Sequence, residues 1–276
     1  MLGSLLIVFR EVMEAGLIVG IVLAATQGIP HRGRWVAGGI GAGIAGAGIV
    51  AIFAGALSQA LSGNGQDVFS ATILCLAVVM LGWHIVWMAR HGREMARDMK
   101  AVGAEVASGN RSLLAMAVVV AVAVLREGME VVLFLYGIAI SSGTGPVPML
   151  IGGILGVFAG AALSWALYRG LVVIPLNRLF AVTGLLVTFL AAGMASQAAA
   201  LLANDDLLPA LGYDIWDSSW LLSDGSMLGR AAKALIGYSD RPTGIQILAW
   251  ICTCVVLTVT GHLVRHRTPA KARGAA

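Results

Sequence analysis

Arg10, Glu11 and Glu14 stand together as Arg10-Glu11-Val12-Met13-Glu14, and Arg126, Glu127 and Glu130 repeat the pattern as Arg126-Glu127-Gly128-Met129-Glu130. On a helix, side chains three apart are neighbours, with Cβ atoms about 5–6 Å from each other. At 3.6 residues per turn, Arg10, Glu11 and Glu14 fall at about 0°, 100° and 40°, so all three share one arc. Arg126, Glu127 and Glu130 repeat this geometry. Two such faces turned toward each other would gather four carboxylates and two guanidiniums at one locus. If all are ionised, the sum is −2. A dry site cannot hold that charge; it must take up protons, admit water or bind a cation. A divalent ion brings the sum to zero. Carboxylate oxygens are hard ligands that suit iron, manganese, magnesium or calcium, and no thiolate or close histidine pair shifts the preference toward copper or zinc. The arginines would orient the carboxylates and limit the charge of the empty site.

Both motifs lie inside hydrophobic runs long enough to cross a bilayer, where a charged side chain costs at least about 2.5–3.5 kcal/mol. The composition agrees with that setting. Hydrophobic residues make up 59% and charged residues 12% of the 276 residues, about half the charged share of a soluble domain. The chain reads as an all-α polytopic membrane protein with seven transmembrane helices, near 2–27, 35–58, 68–90, 112–140, 147–169, 177–203 and 244–264. One transmembrane domain covers 1–276, with no room for a separate soluble one. The first run begins almost at Met1, has no basic leader and carries the first motif, so it is expected to be retained as a span. Cys75, Cys252 and Cys254 all lie in apolar runs and suggest no disulfide framework.

Lysine and arginine set the orientation. Arg32 and Arg34, then Arg90, Arg93, Arg97, Lys100 and Arg111, then Arg169 and Arg178, then Arg265, Arg267, Lys271 and Arg273 fall in alternate connections and the tail. The connections between them are poor in basic residues or acidic on balance. This places the N-terminus outside and the C-terminus inside. The net charge of +4 follows this topology and is no nucleic-acid signal. The motifs are 126 − 10 = 116 residues apart, which is three spans plus a helical, solvated extension at 91–111. Repeat one (about 1–91) and repeat two (about 112–203) therefore enter the membrane from opposite sides, a 3+3 inverted repeat with a seventh helix added. The outer segment 204–243 mixes Trp216, Trp220, Leu221, Leu222 and Leu228 with acids and suits an interfacial helix or a cap. Gly39 and Gly43 in span two, and Gly152, Gly156 and Gly160 in span five, have the spacing that brings helices close together.

His84 and His262 each stand alone in a span, and a packed or pore-lining role is expected for them rather than ligation. No His-Glu-x-x-His run or other nucleophile or cofactor constellation is present, so no enzyme is expected. The plain alternative for each motif is an arginine paired with its own i+4 glutamate as a buried packing element. A proton-titrated membrane sensor is a further alternative; duplication of the motif in opposed halves speaks against both.

The paired motifs resemble the Arg-Glu-x-x-Glu signature of the high-affinity iron permeases, the oxidase-coupled permeases of fungi and the EfeU-type permeases of bacteria. The resemblance extends to Gly33-Arg34-Trp35, to Trp87-Met88-Ala89-Arg90 with His91, to Trp216-Asp217-Ser218-Ser219 and to Ile236-Gly237-Tyr238. It implies a multi-pass permease of the plasma or bacterial inner membrane. Glu11, Glu14, Glu127 and Glu130 would bind iron in transit, Fe2+ or Fe3+, supported by Arg10 and Arg126. Iron is then cargo, not a resident cofactor, and the family leaves a place for an extracytoplasmic oxidase or iron-binding partner. Another divalent metal such as lead or manganese stays open as cargo, because carboxylates discriminate poorly among such ions. Met13 and Met129 stand where the family usually has leucine; Met13 lies about 100° from Glu14 and is expected to pack rather than ligate. Asp67 and Ser70 occupy a place where many members carry two glutamates before span three. Asp205 and Asp206 follow the outer end of span six, where members tend to have glutamates. Together with Asp214 and Asp217, Asp67, Asp205 and Asp206 are the residues expected to attract cations at the outer face.

Overall fold

The computed structural model describes residues 1–60, 66–142, 145–170 and 176–267. Its order is α1 (Leu2–Ala25), α2 (Arg32–Ala60), α3 (Gln66–Ala107), α4 (Leu113–Ser142), α5 (Pro146–Tyr168), α6 (Leu176–Asn204), α7 (Met227–Ile236) and α8 (Gly244–Arg267). No strand occurs among the described residues. Lys271 and Arg273 of the tail lie outside them, as do the connections at 61–65, 143–144 and 171–175 and the side chains of Arg90, His91, Arg93, Arg178, Arg265, His266 and Arg267.

Five helices contain stretches of 20 to 25 residues apolar enough to cross a membrane: α2, α3, α5, α6 and α8. Their outward faces fit a lipid solvent, with Ile52, Phe53, Phe158 and Val255 exposed. α1 and α4 are as long, at 24 and 30 residues, and differ by carrying the two charge triplets. Those two helices are sheathed by the others, α1 chiefly by α5, α3 and α4, and α4 chiefly by α2, α1 and α3. Helices able to face lipid thus surround helices that are not.

Two apolar clusters bracket the charged layer. One joins Ile7, Leu74, Leu81, Phe134, Ile138, Leu190 and Met194; the other joins Val22, Val36, Val106, Met116 and Val120. Along α1 the first cluster precedes the charges and the second follows them, whereas along α4 the order is reversed. α1 and α4 therefore pass through the charged layer in opposite directions.

α3 runs unbroken for 42 residues, about 63 Å at 1.5 Å per residue. The extension expected beyond span three is thus part of the same helix. It is not solvated all round, because Val106 is buried beside Val22 and Met116, and a Cβ on Gly103 would strike Ala25. Arg97, Asp98 and Lys100 occupy its exposed side. In the segment 204–243 the described helix is α7, capped by the Ser226 hydroxyl, which accepts from the Gly229 N–H at 2.9 Å, and ended by Gly237 at φ 69°. Gly237 also lets α7 close on α6, where a Cβ on Gly193 would stand 2.7 Å from the Gly237 Cα. α7 packs across α6, α1 and α4 as a cap. Trp216 and Trp220 lie in the loop before it and are exposed.

Glycines set the two closest helix pairs. A Cβ on Gly39 or Gly43 of α2 would lie 2.5 Å or 2.8 Å from the carbonyl oxygens of Ala117 and Ala121 on α4. On α5, Gly156 and Gly160 meet the carbonyls of Leu5 and Phe9 of α1 at 2.7 Å and 2.8 Å in the same sense. Gly41 faces open space. Gly43→Leu should therefore cost about 1–3 kcal/mol through overpacking, whereas Gly41→Ala should be neutral or mildly stabilising. Thermal unfolding of the two variants in detergent compares them directly; equal midpoints would contradict the packing described.

Candidate metal centre

Three helices supply the buried polar layer. α1 carries Arg10, Glu11 and Glu14, α4 carries Arg126, Glu127 and Glu130, and α3 brings in His84. Helical spacing puts each triplet on one side of its helix, and the apolar clusters above and below close the layer to solvent. Glu11, Glu14, Glu127, His84 and Arg10 are each at most 3% exposed, and Glu130 8%.

Arg10 lies between its two glutamates, with Nε 3.0 Å from Glu14 Oε1 and Nη1 donating to Glu11 Oε1 at 3.3 Å. Arg126 Nε donates to Glu130 Oε1, also at 3.3 Å. Both i+4 pairs expected of a packing element are thus present. They do not account for the layer. One donor atom each from Glu11, His84, Glu127 and Glu130 lies within 4.8 Å of every other, although these residues come from three helices. Glu11 Oε2 and Glu127 Oε2 are buried with no hydrogen-bond partner, an arrangement that costs several kcal/mol per charge in a dry interior unless a cation or water completes it. Glu11 and Glu127 also line a cavity of about 680 Å3 between α1, α2, α4 and α5, whose other walls are mainly apolar. The donor set, three carboxylates and one imidazole, suits a divalent transition cation.

The two triplets are not equivalent. Arg10 is enclosed, whereas the Arg126 side chain is 34% exposed and its guanidinium carbon stands 4.1 Å over the Trp87 ring. His84 breaks the symmetry further. Its Nε2 is 3.2 Å from Glu14 Oε2, and its Nδ1 pairs with Glu130 Oε2.

His84 corrects the sequence reading, which took it as standing alone. Residues 70 positions away on α1 and 46 on α4 (130 − 84) meet it in space. A signal was available: an ionisable side chain inside an apolar span is a site candidate by the same rule that singled out the glutamates. What sequence could not do was separate His84, which is buried, from His262, which is exposed near the end of α8. Met13 is fully buried, as packing requires, and Met129 is 40% exposed.

The outer acids lie apart from this layer. Asp67 is in the first turn of α3 and partly buried; Asp205, Asp206, Asp214 and Asp217 are exposed. Asp217 accepts from the Ser219 N–H and hydroxyl at 2.9 Å and 2.6 Å and faces Arg241 at 3.0 Å. These hydrogen bonds, with Arg241 beside them, hold its carboxyl below the ordinary range. Asp224 and Asp240 are engaged in the loop itself. Each accepts from the other's backbone N–H at 3.0 Å, and Lys233 reaches Asp224 at 3.0 Å.

A bundle of apolar helices around a buried carboxylate layer that could hold a metal ion is an architecture suited to a membrane metal carrier. The chain matches the iron permease FTR1 family over residues 1–264 and belongs to it. It is 31% identical over 253 residues to the ferrous iron permease EfeU of Escherichia coli O6:H1, covering 89% of each chain. To the ferrous iron permease EfeU of Yersinia pestis it is 29% identical over 279 residues, covering 98% of this chain and 96% of the other. No solved structure matches it. As a member of that family with several membrane-spanning helices, it is a multi-pass protein of the cell membrane.

The unequal burial of the two arginines has a measurable consequence. Arg10→Ala leaves two enclosed carboxylates without their cation and should cost about 3–5 kcal/mol. Arg126→Ala, at a partly exposed pair stacked on Trp87, should cost about 1–2 kcal/mol. Thermal unfolding at neutral pH in detergent ranks them, and an Arg126→Ala midpoint at or below that of Arg10→Ala would refute the ranking.

Proposed function

We propose that the chain imports iron, binding it in transit at the midplane between α1 and α4, where Glu11, Glu14, Glu127 and Glu130 supply the negative charge and Arg10 and Arg126 hold it in check. The observation that carries this reading is the meeting of buried carboxylates from two helices with the Oε2 atoms of Glu11 and Glu127 left unpaired, in a chain of the iron permease family. The relatives' description as ferrous permeases favours Fe2+ as cargo. Four ionised carboxylates and two guanidiniums sum to −2, which a divalent ion brings to zero.

The reading includes seven spans in a 3+3 inverted repeat plus one. α1 and α4 count as spans because enclosed helices can carry charge that lipid-facing ones cannot. The inverted repeat is supported by matched contacts. Gly39 and Gly43 meet the carbonyls of Ala117 and Ala121, while Gly152 and Gly156 meet those of Met1 and Leu5. The two sets differ by 116 residues on the charged helices (117 − 1, 121 − 5) and by 113 on the glycine helices (152 − 39, 156 − 43). Opposite passage of α1 and α4 through the layer agrees with this. Alternation of basic connections supports the N-terminus outside and the C-terminus inside. Asp67, Asp205, Asp206, Asp214 and Asp217 are then on the outer side, where exposed carboxylates raise the local cation concentration. A carrier of this kind moves the ion by exposing the layer first to one side and then to the other.

Uptake of radio-iron by iron-uptake-deficient cells tests the site. Glu11→Gln, Glu14→Gln, Glu127→Gln and Glu130→Gln should each lower uptake about 10–100-fold, the scale of a lost charged contact of about 1.5–3 kcal/mol. Wild-type uptake in all four variants at matched membrane abundance would refute the assignment, and competition by manganese or lead in the same assay reads the choice of cargo. Topology has its own test. With the native cysteines replaced, a cysteine at Asp214 should react with an impermeant maleimide added to intact cells, and one at Lys100 should not.

A further inference from the structure

We infer that His84 is a ligand of the transported cation through Nδ1, and that Glu14 does not touch the ion but holds His84 in place. This rests on the reading of the buried layer as the transport site and narrows it.

The donors that meet are Glu11, His84, Glu127 and Glu130, all within 4.8 Å of one another. Four tetrahedral ligands at bond lengths of about 2.0–2.2 Å stand about 3.3–3.6 Å apart, so the widest of these separations need close by little more than an ångström, within reach of small side-chain rotations. Glu14 is not among them, and both its oxygens are engaged elsewhere. Oε1 faces Arg10 Nε at 3.0 Å, and Oε2 faces His84 Nε2 at 3.2 Å. Glu14 Oε1 has the Arg10 ion pair in place of a hydrogen bond, whereas Glu11 Oε2 and Glu127 Oε2 have neither, and each of those two residues is at most 3% exposed.

Both ring nitrogens of His84 face a carboxylate in the ion-free layer, Nε2 that of Glu14 and Nδ1 that of Glu130; a cation bound beside Glu130 would take the place of the Nδ1 proton, while Glu14 goes on accepting from the Nε2–H. Carboxylate, imidazole and metal in line is the arrangement by which outer carboxylates orient histidine ligands. Arg10 completes the chain by neutralising Glu14. The charges then separate cleanly. Glu14 and Arg10 sum to zero, and three carboxylates, Arg126 and a divalent ion also sum to zero, whereas a trivalent ion would leave the site positive. One nitrogen among oxygen donors selects borderline divalent transition ions over magnesium or calcium, which prefer oxygen alone. The substrate class is therefore a divalent transition cation, and the two motifs, alike in sequence, have different jobs at their second glutamate.

The test uses the purified full-length protein in nanodiscs with Mn2+ as the probe, read by pulsed electron paramagnetic resonance for nitrogen coupling to the bound ion. Wild type should bind Mn2+ with imidazole-nitrogen modulation. His84→Gln, or His84→Asn should the first variant fail to fold, should bind it without that modulation. Glu14→Gln should keep the modulation while its Mn2+ affinity falls about 10–100-fold. Bound Mn2+ with no nitrogen modulation in wild type, or modulation that survives loss of His84, overturns the His84 assignment and leaves the carboxylate layer as the site. Undiminished affinity in Glu14→Gln overturns the holding role. Wild type that binds no Mn2+, Fe2+ or Co2+ overturns the underlying reading as well.

Discussion

Charge inside a hydrocarbon layer is the constraint on which the rest of this protein depends. Arg10, four glutamates and a histidine are enclosed, and Arg126 is covered in part by Trp87, as the cost of charge on a helix surrounded by acyl chains demands. Their helices are therefore the enclosed ones. α1 and α4 touch each other and α3, and they are backed by α5 and α2. Close backing is possible because glycines on α5 and α2 let carbonyl oxygens approach where any larger residue would clash. The apolar clusters at either end complete the enclosure. Much of what looks like generic membrane-helix composition thus serves one layer only a few side chains thick.

Enclosure alone does not balance the layer. Arg10 and Arg126 each neutralise one carboxylate, and His84 bridges from Glu14 to Glu130, yet oxygen atoms of Glu11 and Glu127 remain without partners. A packing element under selection for stability alone would have no reason to keep them, since removing both partners of a buried pair is often neutral or stabilising. On the proposed function, an ion that enters, is held and leaves gives them a role. The holding must also be incomplete. A site balanced with the ion and short of positive charge without it can both attract its cargo and, once opened to water on the other side, release it.

Most of the architecture was legible in the chain because the bilayer permits so few solutions. Apolar run length marks out α2, α3, α5, α6 and α8 as able to span, and the charge triplets of α1 and α4 stand out because lipid makes them expensive. Glycine spacing in spans two and five foretold the close pairs at Gly39, Gly43, Gly156 and Gly160. Less was legible where the decisive contact is between distant segments. His84 reads as an isolated histidine until α3 is packed against α1 and α4. The solvated extension proved to have a buried face at Val106 for the same reason. The outer segment suited an interfacial helix or a cap, and α7 does pack as a cap on α6, α1 and α4; the exposed Trp216 and Trp220 lie in the loop ahead of it, which Asp224, Asp240, Lys233 and Tyr238 tie down. The equal sequence of the two motifs also hid their unequal settings, which come from the neighbours of Arg10 and Arg126.

The central claim is that iron rests between α1, α3 and α4 on its way through. A structure of the protein prepared with Fe2+ under anaerobic conditions, with anomalous diffraction recorded at the iron edge, tests it most directly. The account requires an anomalous peak within bonding distance of Glu11, Glu127 and Glu130. A fully occupied peak elsewhere, for instance at Asp205 and Asp206, with none in the buried layer, would contradict it.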